Sequence, residues 1–301
     1  MTTTNEVLEG VDLHGRTVLV TGATTGIGKE TARALGAAGA SVLITARSDE
    51  KAAAAISDLR AAVPGGDFSS EVLELGSLES VRACADRVAS SHGRLDALVA
   101  NAGVMAVPFG RTDDGFELHF GTNHLGHFVF VGRLLPLLRA SAPARIVVLS
   151  SAGHAMSDIV WDDPNYERRE YSKMEGYGQS KTANILHAVE LERRYGAGGV
   201  HAFSVHPGLV ATELGRYFTR EDFAALRARA RASTGGDLPS PVGVDVGAAT
   251  SAWAVTRAAD RDGGAYLADC GVAQAQPYAT DPAAAGRLWS LSEELVGESF
   301  A

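Results

Sequence analysis

Tyr177 and Lys181 stand four residues apart in Tyr177-Gly178-Gln179-Ser180-Lys181, and on a helix that spacing puts both side chains on one face. The chain has 7 tyrosines, and only Tyr177 has a lysine at that distance. A free phenol, with a pKa near ~10, is neutral at pH 7, and a neighbouring ammonium brings it closer to acid/base work. A phenol and an ammonium on one helical face therefore read as a proton donor and its electrostatic partner. Alone, the pair is only suggestive. It gains weight from Ser150-Ser151 after one apolar run, Asn101-Ala102-Gly103 after another, and Thr122-Asn123-His124 in a helical stretch between them.

A second constellation lies near the start, in Thr21-Gly22-Ala23-Thr24-Thr25-Gly26-Ile27-Gly28. Glycines there let the backbone turn tightly and let a pyrophosphate approach amide groups at a helix N-terminus. The turn sits on the first strand-to-helix corner of the chain, where a dinucleotide is bound in an open parallel sheet. The second strand ends in Ala46-Arg47. An acid at that point would hold ribose hydroxyls and repel a 2′-phosphate. Ala46 removes the acid, and Arg47 offers a planar cationic fork suited to phosphate. The expected cofactor is NADP(H), with NAD(H) the lesser fit. His124 and His127 have a metal-like spacing but no third ligand in view, so no metal is expected. His206, before Pro207-Gly208, reads as orienting a turn, and Cys270 needs no redox role.

These groups need a scaffold, and the chain alternates short apolar runs with longer amphipathic segments. Strands are expected at Thr17–Thr21, Ser41–Ala46, Glu71–Leu75, Ala97–Asn101, Arg145–Ser150, His201–Val205 and Ala265–Ala268, about seven in all. Helices are expected at Ile27–Ala38, Glu50–Ala62, Leu78–Ser90 and Ser180–Tyr195, among others. Near-continuous apolar strands such as Ile146–Leu149 suit a parallel sheet covered on both faces. The fold class is α/β: a single-domain, Rossmann-type doubly wound parallel sheet with helices on both faces and ligands at the strands' carboxyl ends. Two stretches break the rhythm, His154–Gly176 and Leu209–Val244. Trp161, Tyr217, Phe218 and Phe223 in them suggest walls for an apolar or aromatic molecule, and 209–244 reads as a lid with hinges at Gly235-Gly236 and Pro239.

Composition closes off other classes. The 301 residues are 46% hydrophobic and 21% charged, which is ordinary globular composition. A net charge of −9 makes nucleic acid and anionic membrane surfaces poor partners. Cys84 and Cys270 are too few for a disulfide framework. No signal peptide or spanning run is visible, so a soluble, cytoplasmic protein is expected.

Taken in order, the TGxxxGxG turn, NAG, Asn123, Ser151 and YxxxK resemble the short-chain dehydrogenase/reductase family, from about Gly15 through Tyr266. Asn101–Phe128 and Ser141–Arg145 are similar to its retinol dehydrogenase and WW-domain oxidoreductase branch, which shares the long interval from Ser151 to Tyr177. Retinol dehydrogenases typically carry an N-terminal membrane anchor; the stretch ahead of the first strand leaves no room for one, so none is expected here. Glu74, before Leu75, stands where the family has an Asp beside the adenine. The resemblance implies a catalytic set of Asn123, Ser151, Tyr177 and Lys181. Ser151 would hold the substrate oxygen, Asn123 a water chain, and Lys181 the nicotinamide ribose as well as the phenol. It also implies cofactor contacts from Gly22, Thr24, Thr25, Gly26, Ile27, Gly28, Arg47, Glu74, Leu75, Asn101, Ala102 and Gly103. Pro207, Gly208, Val210 and Thr212 complete them on the nicotinamide side.

The resulting expectation is an NADP(H)-dependent oxidoreductase interconverting a carbonyl and an alcohol, with Tyr177 as general acid/base. The alternative is a catalytically silent dinucleotide-sensing scaffold on the same fold. Retention of Ser151, Tyr177, Lys181 and Asn123 together favours catalysis. Retinoid, steroid, polyketide and simple aldehyde substrates all stay open. Many relatives pair through long helices around Asn123 and Tyr177, so a homodimer or homotetramer is the expected assembly.

Overall fold

A computed structural model describes residues 1–234 and 236–300, without the side chains of 229, 230 and 232–234. Its strands are β1 (Thr17–Val20), β2 (Ser41–Ala46), β3 (Phe68–Val72), β4 (Ala97–Ala100), β5 (Ala144–Leu149), β6 (Val200–Val205), β7 (Tyr266–Ala268) and β8 (Gly271–Val272). They form one sheet in the order β3-β2-β1-β4-β5-β6-β7-β8. Seven run parallel, as the sequence suggests. The eighth is a two-residue strand that folds back antiparallel on β7, too short to be legible as a periodic run.

The helices are α1 (Thr4–Leu8), α2 (Gly26–Ala37), α3 (Asp49–Ala62), α4 (Leu78–Ser91), α5 (Gly126–Ala140), α6 (Lys173–Tyr195), α7 (Arg220–Thr234), α8 (Val244–Thr256) and α9 (Pro282–Val296). Strand alternation assigns the core to two layers. Leu19, Leu98, Ile146 and Val148 face one cluster with α4, α5, α6 and α9. Their neighbours Val18, Val20, Val99 and Val147 face the other, with α2, α3 and α8. Every second residue of one strand thus serves a different layer, which is why these strands read as unbroken apolar runs.

Strand order reverses between β1 and β4, so the corners after these two strands open onto one crevice. The third strand lies at Phe68–Val72, not Glu71–Leu75. Phe68 is its core anchor, while Leu73 and Leu75 are buried beyond the sheet in a turn where the Glu74 carboxylate accepts the Gly76 N–H at 3.0 Å. Burial there looks the same in the sequence whether it comes from strand or turn. Helix α6 begins at Lys173 rather than Ser180, capped by Ser172. Gly176 and Gly178, poor helix formers, hide its first two turns. Segment 209–244 is also not all loop, because α7 lies within it; Gly235, the expected hinge, falls outside the described residues.

Helix α9 lies against α5 and α6, with the Trp289 ring 5.0 Å from Phe128 and 6.0 Å from His187. The outward side of the helices through which pairing is expected therefore carries part of the chain itself. Among the described residues, no helix is long and apolar enough to cross a membrane.

Candidate active site

The crevice after β1 and β4 is a cleft of about 640 Å³. Its upper wall is the glycine turn, where Gly22 and Gly26 take φ of +64° and +58°, a region that disfavours residues with a Cβ. Gly28 is required for a different reason. A Cβ there would sit 2.3 Å from Asn101 Nδ2 and 2.8 Å from the Gly22 carbonyl. Asn101 uses that amide to donate to the Thr21 carbonyl at 2.8 Å. The Thr21 hydroxyl oxygen in turn accepts the N–H groups of Asn101 and Ala102 at 2.9 and 3.0 Å. The two strand ends are thus locked together by side chains under the turn. Thr25 occupies the N-cap of α2 without a side-chain cap bond, leaving first-turn N–H donors for an anion.

At the second strand's end, Ala46 is buried and Arg47 is exposed along the cleft. Lys51, one turn into α3, lines the same edge. Among the described residues neither cation is ion-paired. Sequence reasoning passed over Lys51, although its spacing from Arg47 was a usable signal. Glu74 and Leu75 also line the cleft, with the Glu74 carboxylate turned onto its own loop.

Ser151, Tyr177 and Lys181 meet at the far floor of the same cleft. Helix α6 is brought against β5 by Ser150 Oγ donating to the Lys181 carbonyl at 2.8 Å and Asn184 Nδ2 donating to the Leu149 carbonyl at 2.9 Å. Gly178 permits the approach: a Cβ there would lie 2.9 Å from the Gly153 carbonyl. Burial pushes the Tyr177 phenol up to about 12, opposed by a hydrogen bond with Ser151. Desolvation is the largest influence on this phenol in the structure. Burial also pushes Lys181 down to about 8. Its Nζ donates to the Leu149 carbonyl at 3.0 Å and lies 5.6 Å from the Tyr177 ring centroid.

Asn123 is fully buried in a π-helical turn, Phe120–Leu125, that leads into α5. Its side chain accepts the Val104 N–H at 2.8 Å and donates to the Val104 carbonyl at 3.0 Å and to Ser180 Oγ at 2.9 Å. A Cβ on Gly103 would meet Asn123 Oδ1 at 2.9 Å. His127 is pushed down to about 4 by burial and bonds Thr21 Oγ1 at 2.9 Å and the Asn123 carbonyl at 3.1 Å. His124 pairs instead with Ser292 on α9. The two histidines therefore diverge to different partners.

On the remaining side lie Pro207, Gly208, Val210 and Thr212. The Thr212 methyl would touch a Cβ on Gly26 at 3.2 Å, so this segment reaches across to the glycine turn. His206, pushed down to about 4 by burial, accepts the Ala152 N–H and stacks on Tyr266, a turn-orienting position. Of the four aromatics expected as pocket walls, only Tyr217 lines the cleft. Trp161 packs on the core under the Arg287 guanidinium at 4.4 Å. Phe218 and Phe223 face each other at 5.0 Å. Their local sequence marked them as apolar but not where they point. Met105, Val107 and Leu118 supply apolar lining instead.

A family model described as short chain dehydrogenase matches residues 16–222, which holds the glycine turn, Ser151, Tyr177 and Lys181. The chain belongs to the short-chain dehydrogenase family. Among curated relatives, human retinol dehydrogenase 13 is 44% identical over 205 residues, 68% of this chain and 62% of that protein. Mouse retinol dehydrogenase 12 is 39% identical over 288 residues, 95% of this chain and 88% of that one. This short-chain dehydrogenase therefore falls in the retinol dehydrogenase branch. A solved structure of an uncharacterised protein from Mycobacterium paratuberculosis is 32% identical, with a TM-score of 0.78 and 98% of each chain covered. A short-chain dehydrogenase from Burkholderia cenocepacia, solved in complex with NADP, is 28% identical with a TM-score of 0.66, covering 85% of this chain and 96% of that one.

Proposed function

We propose that this short-chain dehydrogenase is an NADP(H)-dependent oxidoreductase that interconverts a carbonyl and an alcohol on an apolar or aromatic small molecule. The observation that carries the reading is the meeting of Ser151, Tyr177 and Lys181 in the cleft that begins at the glycine turn. The residues present suit a dinucleotide. Gly22, Gly26 and Gly28 leave room for a pyrophosphate, and the uncapped N-terminus of α2 offers donors. Arg47 and Lys51 offer two cations to a 2′-phosphate, with no carboxylate at position 46 to oppose them. When bound, the nicotinamide supplies or accepts the hydride.

The chain's own part is proton handling and positioning. With its phenol pushed up to about 12, Tyr177 stays protonated at neutral pH and can donate to a carbonyl oxygen as negative charge develops there. The Ser151 hydroxyl, beside that phenol, holds the same oxygen and fixes the carbonyl's orientation. Lys181, its Nζ 5.6 Å from the Tyr177 ring centroid, would hold the nicotinamide ribose. Asn123 keeps the Gly103–Val104 backbone in place beside Lys181. The glycines and apolar lining also fit a scaffold that binds a dinucleotide without turnover, and one measurement separates the two readings.

That measurement is NADPH oxidation against a panel of ketones and aldehydes, for the wild type and Tyr177→Phe. A transferable proton contributes ~10²–10⁴-fold in rate, so the variant should lose at least a hundredfold in kcat while its NADPH affinity holds. Near-normal turnover in Tyr177→Phe would remove Tyr177 from the mechanism. A wild type that binds NADPH but reduces nothing in the panel would favour the scaffold.

A further inference from the structure

The cleft is bounded by the chain that follows β4, and this segment is held in an unusual way. Ala106 is a buried alanine with φ of +53°, a conformation that is strained for a residue with a Cβ and persists only where its surroundings enforce it. Enforcement comes from side chains on either side of it. Asn123 binds both backbone groups of Val104. Val107 is gripped in the same two-handed way by different residues. Its N–H donates to His119 Nε2 at 3.4 Å, and its carbonyl accepts from the Tyr171 hydroxyl at 2.9 Å.

Those two grips share one anchor. Glu117, fully buried, lies 2.8 Å from His119 Nδ1 and 3.3 Å from the Tyr171 hydroxyl. It also accepts the Phe120 N–H at 2.8 Å. Burial alone would push its carboxyl up, but His119 and the backbone donors hold it below the usual range. With Nε2 accepting from Val107, Nδ1 must carry the proton that goes to Glu117, which assigns the tautomer. Burial and the Glu117 charge push the Tyr171 phenol up, so it remains a donor. The cluster also touches the catalytic helix. A Cβ on Gly176, next to Tyr177, would come within 3.3 Å of His119 Nδ1, and the His119 ring stands edge-on to Tyr177 at 5.9 Å.

We propose that Glu117, His119 and Tyr171 are positioning residues that clamp the Met105–Val107 wall of the substrate pocket against the Tyr177 helix, and so set how bulky a carbonyl compound the cleft accepts. The inference rests on the oxidoreductase reading and adds to it the residues that shape its substrate side. Asn123 fixes the half of the segment beside Lys181, and the clamp fixes the half that faces substrate. Met105 and Val107 line the cleft, and the clamp acts on it through the Val107 backbone.

The test uses the full chain with Tyr171→Phe, which deletes one hydroxyl and keeps the ring against Phe109 and Tyr166, and His119→Gln as a second variant. Two readouts are taken. Hydrogen exchange of the peptide spanning 103–109 reports the wall itself. The ratio of kcat/KM for the bulkiest and the smallest accepted carbonyl reports its effect on substrate. A lost hydrogen bond of ordinary strength corresponds to about two- to tenfold. Tyr171→Phe should speed exchange in that peptide by about that factor and shift the bulky-to-small ratio at least threefold through KM. NADPH affinity and kcat for the smallest substrate should stay within twofold. Unchanged exchange and an unchanged ratio in both variants would overturn the clamp, as would a fall in NADPH affinity that tracks thermal stability. If the wild type reduces no carbonyl at all, the oxidoreductase reading fails, and exchange alone then decides the clamp: faster exchange upholds it, unchanged exchange overturns it.

Discussion

The two long walls of the cleft are built on opposite principles. The wall from β1, β4 and β5 is held by buried side chains that bond to backbone: Thr21, Asn101, Asn123 and His127, each at most partly exposed. The facing wall, 209–242, is held by contacts near the surface. A bridge pairs Val210 with Val242, and the Lys173–Asp222 ion pair at 2.5 Å ties α7 to the start of α6. Tyr217 and Phe223 there are 43% and 49% exposed. Buried, bonded backbone opens only when the fold does, whereas a segment with few buried contacts opens locally. The first wall suits a task that needs fixed geometry. The second suits a lid that closes over cofactor and substrate, the role we propose for 209–244.

Acid should expose the difference most. Burial pushes His127 down to about 4 and His187 to about 3. A histidine whose folded pKa lies below its ordinary value takes up its proton first in the unfolded chain. Stability is therefore intact above about pH 6.5 and lost as pH falls toward 4, by about 3 kcal/mol for His127 alone. Denaturant midpoints at pH 7, 6 and 5 should fall steadily, and His127→Gln should flatten the slope. An equal slope in that variant would mean that the acid-labile contact lies elsewhere.

Glycine replacements give the next largest contrast. Gly28→Ala forces a methyl into Asn101 and the Gly22 carbonyl, an overpacking that costs about 1–3 kcal/mol, and should also weaken NADPH binding. Gly215→Ala, on the lid side, meets nothing within 4 Å and should leave both unchanged. Equal effects from the two, measured by thermal melting and NADPH titration, would dissolve the distinction between the walls.

Cofactor discrimination should come from the fixed side. A hydrogen bond to a charged group contributes about 1.5–3 kcal/mol, or roughly tenfold or more in affinity. Arg47→Ala should thus weaken NADPH binding about tenfold and NADH binding little. A preference that does not move would shift the 2′-phosphate contact to Lys51 or away from this edge altogether.

The smallest effect is expected from Asp222→Ala. A partly exposed ion pair contributes about 0.2–1 kcal/mol, so the global unfolding midpoint should barely move. Proteolytic cleavage within 209–242 should nevertheless rise, and NADPH with a carbonyl product should suppress it. Cleavage that ignores ligands would argue against a lid.

Much of this was legible in the sequence because it is local. The i, i+4 spacing of Tyr177 and Lys181 puts both on one helix face wherever the helix goes, and a run of glycines after an apolar strand marks a tight strand-to-helix corner. Six strand positions follow from β-branched runs for the same reason. What the tertiary structure decided is long-range. Asn101 meets Thr21, Asn123 meets Val104, and Glu117 joins His119 and Tyr171 to Val107 only after β4, α5 and α6 are stacked. Trp161 and Tyr217 look alike as exposed-loop aromatics, yet one packs on the core and the other lines the cleft. The height of the Tyr177 phenol was also undecided by residue types, because desolvation depends on everything that covers it. Periodicity and turn chemistry are written in neighbouring residues, while burial and hydrogen-bond partners belong to pairs of segments that only the folded chain brings together.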